Sequence, residues 1–303
     1  MPDLVFRQVT LEDYDRIYEY MSAFGEGSCQ HSFVSIYSLS EKYGDAVCEA
    51  DGCLYVLRSR LCDAEFRVYL APMGQGDLKQ AFRNIIADAG KYGKKAKFLT
   101  LTQKYADFVR EEFPGQFAIE EDRDLAEYVY RTEAMATFAG GELRKRRKEV
   151  NHFWRLFGER AAVTKIVPGD FADILRFEQQ WLEVSRETHD ASALERESRM
   201  IQKQLAHYDE LRLSGIVLRI DGDVKGFGYG VKLSDAYYDA VIEKGDREIP
   251  HVYKVLRQES VRQCAMDCTY VNVEEDVGVP GLRALKYAYK PLFLIHKYVV
   301  SER

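Results

Sequence analysis

The run from Thr269 to Tyr298 constrains this chain more than any other stretch. Tyr270-Val271-Asn272-Val273 reads as a short buried strand, and three acids follow it: Glu274, Glu275 and Asp276. Val277-Gly278-Val279-Pro280-Gly281 is a turn. Leu282 to Lys290 reads as a helix that Pro291 stops, and Leu292 to Val300 as a closing strand. Strand, acidic turn, short helix and strand make the end of an α/β domain, and strand ends are where such domains carry their sites.

The chain is long enough, at 303 residues, for two ordinary domains or one large one. A hydrophobic content of 46% supplies a sizeable core. The net charge of −6 argues against a protein that coats nucleic acid generally, but leaves room for a local basic patch. No apolar run approaches the roughly 20 residues needed to span a bilayer. The start, MPDLVFRQVTLED, lacks the basic and apolar regions of a signal peptide. The six cysteines form no CxxC pair and no cluster at zinc spacing, and they read as buried reduced thiols. His189 and His207 lie far from any ligand pattern. The expectation is a soluble, reduced, cytoplasmic protein without a metal.

Element signals recur in one order. Phe6–Val9 reads as a strand, Thr10 to Met21 as a capped helix with apolar residues at helical spacing, and Phe33–Leu39 as a second helix. Three extended runs follow, Asp45–Ala50, Leu54–Arg60 and Glu65–Leu70, with Asp51-Gly52 as a hairpin signal. A helix from Asp77, the strand Lys97–Leu101, a helix from Gln103 and extended runs to Arg131 complete this part. Thr132 to Arg160 then reads as one long helical stretch carrying Arg144-Lys145-Arg146-Arg147-Lys148. After it the order restarts. Val163–Val167 is a strand, Phe171 to about Glu187 and Leu194–Tyr208 are helices, and Leu211–Leu213, Ile216–Ile220, Val224–Lys232 and Ala236–Glu243 are strands. Val252–Met266 is a helix just after Pro250. The pattern implies an N-terminal domain over residues 1–131, a basic helical connector over 132–160, and a C-terminal domain over 161–303.

This order resembles the acetyltransferase-like (GNAT) fold. The second half is similar to the domain at the C-terminal end of phosphatidylglycerol lysyltransferases. Asn272 to Arg283, with Lys286, Tyr289, Lys290 and Pro291, carry that resemblance. Lys225 to Gly230, Glu243 to Asp246, and Tyr128-Val129-Tyr130 ahead of Gly141, Leu143, Lys145, Lys148 and Asn151 support it. The resemblance implies an α/β (α+β) chain of two acetyltransferase-like domains in tandem, each a mixed, mostly antiparallel sheet flanked by helices. It implies a transferase moving an acyl group from coenzyme A, or from aminoacyl-tRNA, onto an acceptor amine or hydroxyl. The acceptor class is a small molecule, a peptide or a lipid headgroup, and the acceptor end of tRNA is a further partner. The other reading is a non-catalytic module that binds or senses acyl-CoA or a nucleotide with a degenerate version of the fold.

Several residues become candidates on this basis. In acetyltransferase-like folds two strands splay apart to take the donor's pantetheine arm, and Val224–Lys232 and Ala236–Glu243 are the expected pair. Gly226, Gly228 and Gly230 alternate onto one face of the first. Glycine in a strand marks either close approach of a ligand or tight packing, so Gly226 and Gly228 are candidate cofactor contacts. Backbone N–H groups opening the helix after Pro250 suit a pyrophosphate. Lys244, Arg247 and His251 favour an anion there, while Asp246 and Glu248 oppose one. Arg146 and Arg147 suit phosphates of coenzyme A or tRNA, though a charge run is also an ordinary solvated helix face. Acyl transfer needs a base for the acceptor's proton and an acid for the leaving group. Glu275 and Glu243, at strand ends, are candidate bases, and Asp276 fits equally as a cap. Tyr289 stands where acetyltransferases often carry a proton-donating tyrosine, with Tyr287 as its competitor.

Overall fold

The computed structural model describes residues 3–186 and 190–303; Glu187 and His189 lie outside them. The first strands are β1 (Arg7–Gln8), β2 (Asp45–Ala50), β3 (Cys53–Arg58), β4 (Phe66–Tyr69), β5 (Met73–Gly74), β6 (Lys95–Thr102), β7 (Phe117–Glu121) and β8 (Glu127–Arg131). The later ones are β9 (Ala161–Lys165), β10 (Ser214–Ile220), β11 (Asp223–Lys232), β12 (Tyr237–Gly245), β13 (Tyr270–Glu275), β14 (Phe293–Ile295) and β15 (Lys297–Glu302). Helices α1 (Tyr14–Phe24), α2 (Phe33–Ser38), α3 (Ser40–Tyr43), α4 (Leu78–Lys91) and α5 (Gln103–Glu112) come early. Helices α6 (Thr132–Thr137), α7 (Arg144–Phe157), α8 (Phe171–Ser185), α9 (Ala191–Ala206), α10 (Val252–Cys264) and α11 (Pro280–Tyr287) follow.

Local chemistry explains the hairpins. Asp51-Gly52 and Asp221-Gly222 have φ of 49° and 73°, and of 54° and 91°. A two-residue type I′ turn needs positive φ at both positions, which Asp-Gly adopts at little cost. These turns set β2 against β3 from Ala50↔Cys53, and β10 against β11 from Ile220↔Asp223.

The first of two units holds residues up to Tyr128, with Glu275–Arg283 and Leu294–Arg303. Its sheet runs β1-β2-β3-β4-β6-β15-β7, and β5 pairs β3. β4 and β6 are parallel, from Phe66↔Lys95 to Tyr69↔Phe98, with α4 between them in sequence. β15 is antiparallel to both β6 and β7. Tyr55, Tyr69, Phe82 and Phe98 are wholly buried in this unit. Lys297 of β15 is 0% exposed and pairs with the equally buried Glu127 at 2.6 Å. Glu127 also accepts from Ser28 Oγ at 2.9 Å and from the Cys29 N–H at 3.0 Å.

The second unit holds Val129–Glu274 and Ala284–Phe293. The second sheet runs β14-β8-β13-β12-β11-β10-β9. Its core includes Phe153, Phe227, Tyr229 and Tyr238, all almost fully buried. β12 and β13 are parallel, with α10 as the connection between them. Both sheets are mixed and mostly antiparallel, as expected.

Five expectations need correction. The closing strand Leu292–Val300 is two strands, β14 and β15, which join different sheets. A contiguous domain over 161–303 therefore does not describe the second unit, because β15 completes the first sheet. β8, read as the end of the first domain, lies in the second sheet. The helical stretch Thr132–Arg160 breaks between α6 and α7, where Phe138 takes φ 47° and Gly140 and Gly141 interrupt helix propensity. Leu211–Leu213 is not a strand: Leu211 and Arg212 lie in a turn, with φ 51° at Arg212.

Candidate functional site

The strands that part are not the expected ones. β11 and β12 pair along most of their length, through Gly226↔Gly245, Gly228↔Glu243 and on to Lys232↔Tyr238. β12 and β13 instead pair only at Tyr237↔Tyr270, Tyr238↔Val271 and Asp239↔Asn272, among the described residues. Beyond Asp239 the two parallel strands separate, and Glu243 lies on the separated part of β12.

The glycines of β11 answer to packing. A Cβ on Gly226 would lie 2.8 Å from Leu256 Cδ1 and 2.9 Å from the Lys244 carbonyl oxygen. A Cβ on Gly228 would lie 3.1 Å from the Ile242 carbonyl oxygen. Both are buried between β12 and its neighbours, so close approach of backbone and of α10 explains them without a ligand.

Helix starts distinguish the two parallel crossovers. The start of α4 is capped by Asp77, whose carboxylate accepts from the Gln80 N–H at 3.1 Å. That negative charge opposes an anion. The start of α10 has no side-chain cap and no acid in its first turn. His251 opens it with φ 66°, and His251 Nε2 lies 3.1 Å from His152 Nδ1 of α7. Lys244 and Arg247 are held elsewhere. Lys244, 3% exposed, pairs with Glu197 and places Nζ 3.5 Å from the Trp181 ring centre, with Arg247 Cζ at 5.1 Å. Trp181 Nε1 donates to Tyr253 Oη at 3.3 Å, and Tyr253 donates to the Gly245 carbonyl at 3.0 Å, which fixes the entry to α10.

Two ion pairs of the second unit lie beside Tyr289. This tyrosine is 6% exposed, whereas Tyr287 is 44% exposed. The Tyr289 hydroxyl makes no hydrogen bond among the described residues. Arg146 of α7 and Arg257 of α10 stand 5.2 Å and 6.0 Å from its ring centre. Each arginine has its own carboxylate: Arg146 bonds Glu149 at 2.8 Å, and Arg257 bonds Glu243 at 2.7 Å. Arg146 Nε is buried and makes no hydrogen bond among the described residues. Phe138 packs on the ring at 5.7 Å. Burial pushes the Tyr289 hydroxyl up to about 12, and Arg257 draws it back. Lys286, one turn before Tyr289, donates to the Val273 carbonyl at 2.6 Å and the Glu274 carbonyl at 3.1 Å, pinning α11 to the end of β13.

The remaining candidates have other partners. Arg147 donates to the Phe138 carbonyl at 2.6 Å and closes the turn between α6 and α7. Glu275 belongs to the first unit, where it meets Cys29 Sγ at 3.6 Å and Gln30 Nε2 at 3.4 Å. Cys29, Glu127 and Glu275 bring potential metal ligands within 4.8 Å of one another, but the Lys297 ammonium already holds Glu127. Asp276 is a structural anchor. Hydrogen bonds from Arg283 at 2.9 and 2.7 Å hold its carboxyl well below the usual range, and the Gly278 N–H caps it at 3.0 Å. Sequence reasoning missed Arg257, Glu149 and Trp181. Only Glu149 left a signal, as an acid three residues after Arg146 on one helix.

The family described as phosphatidylglycerol lysyltransferase, C-terminal, matches residues 22–301. A conserved protein of unknown function from Bacteroides thetaiotaomicron superposes with a TM-score of 0.93 at 26% identity, over 99% of this chain and 100% of that one. The C-terminal domain of a putative lysylphosphatidylglycerol synthetase from Agrobacterium fabrum superposes at 0.65 and 14% identity, over 96% of this chain and 92% of that one. An uncharacterised protein of Mycoplasmoides gallisepticum is 24% identical over 176 residues, 57% of this chain and 55% of that protein, so the match spans about half of each. The shared architecture is the tandem acetyltransferase-like fold. Among the described residues, no helix is long and apolar enough to cross a membrane.

Proposed function

The chain belongs to the family of the phosphatidylglycerol lysyltransferase C-terminal domain, and from that premise we propose that it is an aminoacyl-transfer type of acyltransferase with its donor site in the second unit. Tyr289 carries the reading. A tyrosine only 6% exposed, whose hydroxyl makes no hydrogen bond among the described residues and whose ring lies beside two arginine–carboxylate pairs, suits contact with a ligand. Tyr289 follows the helix after β13, beside the strands that separate.

In this proposal an acceptor amine or hydroxyl attacks the donor's carbonyl carbon. A C–N or C–O bond forms, and Glu243 takes the acceptor's proton. The bond to the donor's ester oxygen or thioester sulfur breaks, and Tyr289 gives its proton to that leaving atom. Backbone N–H groups hold the oxyanion between these steps. Arg144, Lys145, Lys148 and Arg155 of α7 are exposed and join no ion pair among the described residues. They, with the uncapped start of α10, suit the phosphates of a tRNA acceptor end or of coenzyme A. Family membership favours aminoacyl-tRNA as donor; acyl-coenzyme A is the second donor to test. The acceptor is a small molecule, peptide or lipid headgroup, and we place the reaction in the cytoplasm, where both donors occur.

One observation favours a non-catalytic binding module: Trp181 retains Lys244 and Arg247, two of the cations expected to meet phosphate. A thermal-shift screen with coenzyme A, acyl-coenzyme A and aminoacyl-tRNA tests both readings. Ligand at 100 times its dissociation constant adds about 2.7 kcal/mol of stability. A shift accompanied by transfer supports the enzyme. A shift without transfer to any acceptor class supports the module, and no shift with any ligand contradicts both.

A further inference from the structure

The two ion pairs around Tyr289 have a role that proton donation alone does not specify. A tyrosine that gives up its proton becomes a phenolate, and burial opposes that charge. Around Tyr289 the charged groups come from three elements: Arg146 and Glu149 from α7, Glu243 from β12, and Arg257 from α10. Tyr130, also buried, adds a neutral hydroxyl that donates to the Lys286 carbonyl at 2.8 Å. Lys286 is turned to the carbonyls of Val273 and Glu274, and Lys290 lies 3.8 Å from Glu142. The arginines are thus the cations nearest the ring, and each keeps a carboxylate that offsets the cost of its own burial.

We infer that Arg257 and Arg146 are positioning residues that hold the negative charge of the Tyr289 phenolate, while Glu243 and Glu149 set the opposing bias. This rests on the proton-donor role proposed above. In the uncharged resting site the two pairs are neutral, and the phenol keeps its proton. When the Tyr289 O–H bond breaks and its proton moves to the leaving oxygen or sulfur, the electron pair stays on Oη. Glu243 has by then taken the acceptor's proton, so the two guanidiniums face Glu149 and the phenolate, which stands in for the Glu243 charge. Arg146 Nε, buried and without a hydrogen bond among the described residues, is a donor still available to the phenolate. The proton that Glu243 took from the acceptor returns to the phenolate, directly or through solvent, and resets both groups after product leaves.

The arrangement makes a signed prediction. Removing an arginine raises the midpoint of Tyr289 ionisation; removing a glutamate lowers it. The experiment places 3-fluorotyrosine at position 289 of the full chain and follows its ionisation by ¹⁹F NMR in Arg257→Gln, Arg146→Gln, Glu243→Gln and Glu149→Gln. Each arginine variant is expected to make ionisation about tenfold harder, and each glutamate variant about tenfold easier, one pH unit in either direction. The double variant Arg257→Gln/Glu243→Gln removes one neutral pair, so its midpoint lies between those of its parents; it serves if Arg257→Gln alone does not fold. Midpoints that do not move, or that move in one direction for all four variants, overturn the inference. The alkaline limb of the kcat profile separates the two claims. If it follows the NMR midpoint, both stand. If the midpoints move with the predicted signs while the limb stays fixed, the charge coupling stands and the proton-donor role of Tyr289 fails.

Discussion

At the scale of single residues, sequence type named candidates but burial and partners decided among them. Glu243, Glu275 and Asp276 are equal as carboxylates in a strand-end sequence. The structure gives Asp276 to Arg283, Glu275 to the Cys29–Gln30 corner, and Glu243 to Arg257. Tyr289 and Tyr287 differ in exposure by a factor no local pattern predicts, because the fold of α11 and Phe138 sets it. The same holds for buried titratable groups of the first unit. Burial lowers His31 from 6.5 to about 3, and burial raises Asp45 from 3.8 to about 6 despite Arg58. The signs oppose each other. The unfolded chain takes up a His31 proton below pH 6.5 and the folded one does not, so this stability is full above 6.5 and is lost as pH falls toward 3. Folded Asp45 keeps its proton to higher pH, so its contribution is full below pH 3.8 and is lost as pH rises toward 6. Denaturant titrations across pH 3 to 8 are therefore expected to tilt oppositely. His31→Asn flattens the acid-side loss, and Asp45→Asn removes the fall between pH 4 and 6. Parallel curves for both variants would contradict these assignments.

At the scale of elements, periodicity and turn chemistry were legible. The Asp-Gly hairpins, the apolar spacing of α1 and α8, and the proline before α10 all lie in short range. Pairing was less so. Glycine at alternate positions of β11 fits a ligand cleft and a close-packed strand equally well, and only the third dimension showed Leu256 over Gly226. Gly226→Ala tests this. A methyl group 2.9 Å from the Lys244 carbonyl oxygen is expected to cost about 1–3 kcal/mol in denaturant unfolding, as overpacking does. Unchanged stability with weakened donor binding would return Gly226 to the ligand. The parting of β12 and β13 was likewise hidden, because strand separation depends on which neighbours pair and not on composition. The α7 cations proposed to meet phosphate also differ from those expected. Arg146 and Arg147 turn inward, while Arg144, Lys145 and Lys148 stay in solvent, a consequence of five consecutive residues covering every side of a helix.

At the scale of the whole molecule, element order gave the tandem fold, and the family match over residues 22–301 agrees with it. What the order did not give is the path of the last ten residues. β14 and β15 read as one strand because only His296 separates them. Their different sheets follow from long-range pairing, in which Lys297 finds Glu127 inside the first unit. Lys297→Met leaves Glu127 buried without its cation, and a loss of about 3–5 kcal/mol is expected, with amide exchange rising in β6 and β7. A loss below about 1 kcal/mol would show that the pair does not anchor β15.

The most direct test of the account is single-turnover transfer, with aminoacyl-tRNA or acyl-coenzyme A according to which binds, by the native chain and by Tyr289→Phe. Donor binding is measured in parallel, and Tyr287→Phe is the exposed control. The account predicts transfer slowed by about 10²-fold or more in Tyr289→Phe, the usual range for a lost general acid, with donor binding unchanged and the control at the native rate. An unaltered rate in Tyr289→Phe, or a loss explained entirely by weaker binding, would contradict it.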